Sequence, residues 1–299
     1  MPSVINTNLA SLFAQNSLSS AQSNLATSVQ RLSSGIRINS SKDDATGLAI
    51  SKSMQGKLNA IGMAQQNAQQ ATNLLQTADS VVGTVQDILL RMKQLAVEGA
   101  NDSISRTQKL NVRTELTTLN TQINNIATGT TYNGINLLNT TGVSLAFQVG
   151  STTDAADKFT VSTIDVTTGT GSGSTAMKEV GNFIANETAT DSLSRLEPGS
   201  ANTLFNAAFA SLTTSLDTAI ETLSSQRATL GSQMNALSYV SNNLLGQQAN
   251  LSASKSTILD TNFADETATL TKGQIMQQAA TAMLAQANQM PNVILSLLK

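Results

Sequence analysis

Arg31, Arg37, Lys42, Asp43 and Asp44 crowd into one stretch, RLSSGIRINSSKDD, after thirty residues that carry no charge. Adjacent carboxylates beside cationic groups could hold a metal ion, exchange protons or form ion pairs. The rest of the chain gives catalysis little support. There is no histidine, the commonest general base and metal ligand, so no Ser-His or Cys-His triad can be built. There is no cysteine either, which excludes disulfides and thiolate metal sites. No Asp/Glu group follows a metal-loop spacing. No G-x-x-x-x-G-K-[ST] loop occurs, and TGTGSG at 168–173 reads as a flexible tip rather than a phosphate cradle. Asp43 and Asp44 therefore read as solvated or turn carboxylates, and the chain as a non-enzyme that needs no cofactor.

Composition narrows the partners. Charged residues make up 12% of 299, against about 25% in typical domains, and the formal net charge is -2. No long basic run occurs, which argues against nucleic acid and anionic membrane as main partners. The apolar runs are too short to span a bilayer. The opening MPSVINTNLASLFAQNSLSS has neither the basic nor the apolar region of a secretory signal peptide.

The elements around the charge cluster are set by periodicity. Ile61, Ala64, Ala68, Ala71, Leu75, Ala78, Val82, Val85, Leu89, Met92 and Ala96 alternate spacings of three and four, a coiled-coil seam. A helix over 54–96 would be about 63 Å long at 1.5 Å per residue. GANDSISRT reads as a break, with Gly99 as C-cap and Asp102 or Ser103 capping the next helix. Val112, Leu116, Leu119, Ile123 and Ile126 continue the pattern until Gly129. Phe209, Leu216, Leu223, Leu230, Leu237, Leu244, Leu251 and Ile258 recur every seven residues and read as scaffold. Between these helices, residues 130–200 are rich in Thr, Gly and Ser. Leu145, Phe147 and Val149 alternate, as do Phe159 and Val161, and YNGIN precedes them as a turn signal, so this is the β-hairpin region.

Both ends look helical yet lack charge over 1–30 and 273–298. Met276, Ala280, Met283, Ala287, Met290, Ile294 and Leu297 form one stripe. Ile5, Leu9 and Leu12 form a second, and Leu18, Ala21, Leu25 and Leu32 a third. Pro291 should kink or loosen the last helix. A free surface helix carries charges outside, whereas these carry Gln, Asn, Ser and Thr. Such faces suit packing against many copies, where an unpaired buried charge would be costly. The termini thus read as an assembly core that orders on polymerisation. A two-helix tail packed within one monomer is the alternative.

The segments MPSVINTNLASL, RLSSGIRINSSKDDATGLAIS, LLRMKQLAVEGAND, TYNGINLL, RATLGSQMNAL and LAQANQMPNVILSLLK resemble the bacterial flagellins. The resemblance covers roughly the first 140 and last 95 residues. It implies a mainly α fold of long antiparallel coiled-coil helices with a small β-hairpin region and terminal helices in a polymer core. Residues 1–46 and 256–299 would form the inner filament core, with 31–46 as the spoke. Residues 47–202 and 203–255 would form the coiled-coil rod domain, including the short variable region. Asn235-Ala236, Ser256-Thr257-Ile258 and Asn262 depart from the family's usual residues, which removes some ion pairs expected between subunits.

The implied function is the filament subunit for swimming motility, exported through the flagellar type III apparatus and located outside the cell. The alternative within the family is the hook–filament junction protein. A soluble coiled-coil binding module is a different class, disfavoured by the uncharged ends. Implied partners are copies of itself, an export chaperone, the hook-junction and filament-cap proteins, and host receptors. The resemblance places the vertebrate Toll-like receptor patch at Arg91, Leu95 and Glu115, with Arg91 and Leu95 outside the seam. It places a plant-receptor epitope at 30–51, through Asp43, Asp44, Gly47 and Leu48.

Overall fold

The computed structural model describes residues 8–139, 144–152, 154–168, 177–181 and 198–297, with side chains excepted at 198–204 and 291–297. The elements are α1 (Leu9–Ser34), α2 (Ala45–Gly99), α3 (Arg106–Gly129), β1 (Thr131–Tyr132), β2 (Ile135–Asn136), β3 (Ser144–Gln148), β4 (Lys158–Ser162), α4 (Pro198–Leu259) and α5 (Phe263–Leu297). They divide into two compact units. One comprises Met1–Asn59 with Gln247–Lys299, the other Ala60–Gly246.

In the second unit every member of the α2 seam from Ile61 to Ala96 is buried. Phe209, Leu216, Leu223, Leu230 and Leu237 of α4 share one core with most of that seam and with Val112, Leu116 and Ile123 of α3. Polar clamps fix the helix directions. Arg227 donates to Asp79, Gln86 to Ser224, and Lys93 pairs with Asp217, so α4 runs antiparallel to α2. Arg91 and Glu115 join α2 to α3 across the intervening turn.

That turn differs from expectation. Ser105, rather than Asp102 or Ser103, caps α3: its hydroxyl accepts from the Gln108 amide while the Gln108 side chain accepts from the Ser105 amide. Two orphan donors satisfied reciprocally outweigh a single Asp or Ser cap. Gly99 is the last helical residue of α2, and a Cβ there would lie 2.7 Å from the Phe209 ring, so its small size is what the packing requires.

The β region follows the alternation. β3 and β4 pair antiparallel with Leu145 opposite Val161 and Phe147 opposite Phe159. β1 and β2 form a hairpin turned by Asn133 (φ 51°) and Gly134 (φ 80°), the left-handed pair that a two-residue turn demands. The tip at 169–173 lies outside the described residues.

In the first unit α1 and α5 lie antiparallel. At one end Asn8 donates to the Ala287 carbonyl at 2.8 Å and Ser11 to Asn288 at 3.0 Å; at the other Arg31 approaches Glu266 at 3.7 Å. The two helices therefore meet each other within a single chain. The reason is in the contact residues. Ala14, Ala21 and Ser28 of α1, seven apart, are buried, as are Gly273, Ala280 and Ala287 of α5, also seven apart. Small side chains let the backbones approach closely, and a Cβ on Gly273 would touch Leu25 at 3.5 Å. α5 remains helical through Pro291 to Leu297. Among the described residues no helix is long and apolar enough to cross a membrane.

Candidate assembly and recognition surfaces

The α1–α5 pair buries one narrow stripe and leaves another exposed. Met276, Met283 and Met290 are 49%, 59% and 56% exposed, while Ala280 and Ala287 between them are buried. The expected single stripe is thus two: alanines facing α1, methionines facing out. On α1, Leu9 and Leu12 are 68% and 60% exposed, Phe13 stands out beside them, and Leu18 and Leu25 are half-buried. Leu9, Phe13, Met283 and Met290 line an apolar groove of about 550 Å3. Ile5 and the side chains of Ile294 and Leu297 lie outside the described residues. Ala14, Ser28 and Gly273 were not part of the expected stripes. Ala14 and Ser28 lie seven residues either side of Ala21, and Gly273 lies seven before Ala280; that spacing was the available signal, hidden at Ser28 and Gly273 because Ser and Gly do not register as apolar.

The charge cluster forms a joint. α1 ends on Gly35 in the left-handed conformation (φ 71°), whose amide donates to the Arg31 carbonyl at 2.8 Å. The chain then pairs with the break between α4 and α5. Ile36 bridges Asp260, the Arg37 amide donates to the Leu259 carbonyl at 2.6 Å, and the Thr261 amide donates to the Gly35 carbonyl at 3.0 Å. The Arg37 guanidinium adds a bond to the Ile258 carbonyl at 2.9 Å. No local sequence pattern signals this pairing, because its partners are over 220 residues apart.

The carboxylates are used locally. Asp43 accepts from the Ser40 amide and hydroxyl at 2.8 and 2.9 Å and from the Asn39 amide at 3.1 Å. The Ser40 amide, then its hydroxyl, hold the Asp43 carboxyl below its ordinary range. Asp44 caps α2, accepting from the Gly47 amide at 2.9 Å. A Cβ on Gly47 would lie 2.4 Å from the Asp44 carboxylate and 2.6 Å from buried Ile38, so the cap closes only over glycine. Leu48 is half-buried just behind it. The cluster is thus a folded joint in which Arg37, Asp43 and Asp44 are bonded to backbone groups.

On the second unit, Arg91 donates through Nε and Nη2 to Glu115 at 3.2 and 2.9 Å, and the two side chains are 52% and 45% exposed. Leu95 does not accompany them on the surface. It is 2% exposed and belongs to the core, as does Leu74. The helix α2 is clamped on both α3 and α4, so its buried face is wider than one seam and takes in Leu95.

The same helix α3 carries a buried ammonium. Lys109 is fully buried and donates to Asn206, whose amide in turn donates to Asp102. No sequence signal marks it, since a lone lysine in a helix reads as solvated.

Two family models match the chain, the bacterial flagellin N-terminal helical region over residues 5–142 and the C-terminal helical region over 213–298. The chain is 35% identical to a flagellin of Bacillus subtilis, with 99% of each chain covered. It is 31% identical to the flagellar filament 33 kDa core protein of Treponema phagedenis, covering 99% of this chain and all of the relative. A structure described as a putative flagellar hook-associated protein from Vibrio parahaemolyticus matches 73% of this chain and all of its own, with a TM-score of 0.58. At 16% identity that likeness shows the fold alone, and the hook–filament junction alternative gains no better support from it. With both helical regions matched and relatives aligned end to end, the chain belongs to the bacterial flagellin family, the structural subunits of the flagellar filament.

Proposed function

We propose that the outward faces of α1 and α5 are the surface through which this filament subunit packs against its copies. The observation that carries this is the pairing of a large exposed apolar stripe with long charge-free stretches of both helices. Leu9, Leu12, Phe13, Met276, Met283 and Met290 are all exposed, and no charge occurs in 1–30 or 273–298. Exposed apolar patches of this kind mark interaction sites. On this reading 1–46 and 256–299 make the inner filament core, while 47–202 and 203–255 make the coiled-coil layer around it. Asp43, Asp44 and Ser105 serve in turns and helix caps, and Arg227, Lys93 and Arg91 in clamps between helices, which supports a structural role.

The same reading extends to partners outside the polymer. An export chaperone would cover the apolar termini before secretion through the type III apparatus, and the hook-junction and cap proteins would meet the same helices at the filament's ends. Arg91 and Glu115 would contact the vertebrate receptor directly, with Leu95 supporting the helix from beneath. The plant receptor would read Asp43, Asp44, Gly47 and Leu48 from the released segment, because in the folded chain Asp43 and Asp44 are bonded to their own backbone.

Met283→Glu tests the assembly reading. A carboxylate on that stripe would need partners or water on burial, which opposes assembly by several kcal/mol. The variant should keep the parent's circular dichroism and fail to sediment as filaments. Polymerisation at the parent's critical concentration would remove α1 and α5 from this role.

A further inference from the structure

We propose that Met276, Met283 and Met290 are a modification site, oxidised to methionine sulfoxide in the free subunit with loss of assembly, and sheltered in the polymer. The inference rests on the reading of α1 and α5 as the contact between copies. The three thioethers stand seven residues apart on one face of α5, each about half exposed, and two of them line the apolar groove with Leu9 and Phe13. The chain has no cysteine and no tryptophan but nine methionines, so thioether sulfur is its main two-electron reductant. Met92 and Met177 are fully buried, which separates a reactive class from an inert one.

The oxidant is a peroxide. A sulfur lone pair attacks one peroxide oxygen, the O–O bond breaks, and an S–O bond forms. The sulfur loses two electrons, and the other oxygen takes up the released proton and leaves as water. The product is polar and stereogenic, in a stripe whose neighbours are Leu9, Phe13 and Ala287. It would carry an unpaired acceptor into the contact between copies, where the thioether had carried none. Because sulfoxide reductases restore the thioether, the block is reversible.

Free subunits and preformed filaments of the full chain are treated with hydrogen peroxide, mapped by peptide mass spectrometry, then assayed by sedimentation. Expected are sulfoxides at all three positions in free subunits, slow oxidation at Met92 and Met177, and protection of the stripe in filaments. The critical concentration should rise about tenfold per stripe sulfoxide, the order expected when a buried apolar group turns polar. Sulfoxide reductases A and B should return it to the starting value. In the combined Met276→Leu, Met283→Leu, Met290→Leu variant, whatever its own critical concentration, peroxide should leave that value unchanged, whereas Met63→Leu, which removes the exposed methionine of α2, should stay sensitive. If the leucine variant does not assemble untreated, reductase rescue of the parent, tracked at the three sites, decides. Oxidised subunits that assemble like untreated ones overturn the proposal, as does a block that follows Met63. Normal assembly of the oxidised parent while Met283→Glu fails sinks only this inference; assembly of Met283→Glu sinks the contact reading itself.

Discussion

Asp43 holds a turn by three hydrogen bonds with no burial to help, so its effect is readable through pH. Its folded pKa is depressed below the ordinary 3.8, first by the Ser40 amide and then by the Ser40 hydroxyl. A depressed carboxyl contributes stability above its unfolded value, and that contribution is lost as pH falls through the folded value. The Asp43 carboxyl, followed by NMR, should therefore titrate below 3.8, with the Ser40 amide shifting in step. Asp43→Asn should abolish that transition at Ser40. Lys109 allows a sharper comparison. Its ammonium is buried and bonded to Asn206. Asn206→Leu strands that charge and should cost about 3–5 kcal/mol in urea unfolding. Lys109→Met removes the charge at similar volume and should cost clearly less. Equal losses would mean that shape, not charge pairing, governs this corner.

At the scale of elements, the α1–α5 contact depends on having no bulk in it. Ala21 is buried on the α1 side, and Ala280 and Gly273 are buried on the facing helix. Ala21→Leu would force the helices apart and should destabilise the pair by about 1–3 kcal/mol. Limited proteolysis within 9–34 and 263–297 should accelerate, while the core built on Leu89, Leu116 and Leu216 stays intact. Unchanged cleavage would show that the pair is held by its end bonds, Asn8 to Ala287 and Arg31 to Glu266, rather than by the small-residue seam.

For the whole molecule, the two units differ in what they bury. Among the described residues, the first unit buries small side chains such as Ala14, Ala21, Ala280 and Ala287, with Ile38 at the joint. The second buries leucines, valines, methionines and phenylalanines drawn from three helices and the strands. Since apolar burial contributes about 25 cal/mol per Å2, the first unit should open well before the second. Amide exchange in the free subunit should be fastest in α1 and α5 and slowest in 61–96 and 209–237. In filaments the terminal amides should become protected, because the exposed leucines and methionines then gain partners. Comparable protection of both units in the free subunit would contradict this ordering.

The sequence by itself determined the α2 seam, the α4 heptads, the β3–β4 hairpin and the Asn133-Gly134 turn. Each follows from a repeat of two, three and four, or seven residues, or from a residue pair with one favoured conformation, all local signals. Its charge-free ends pointed to assembly, and its matching segments to the family. Tertiary structure decided what the periodicity left degenerate. A three-and-four repeat cannot say which of two adjacent stripes faces a partner, so Ala280 and Met283 separate only once α1 is placed against α5. Leu95 looked available beside Arg91 until α3 and α4 both closed on α2. The bridge from Ile36 to Asp260 joins distant backbone groups, whose hydrogen bonding depends on where the chain returns rather than on side-chain type.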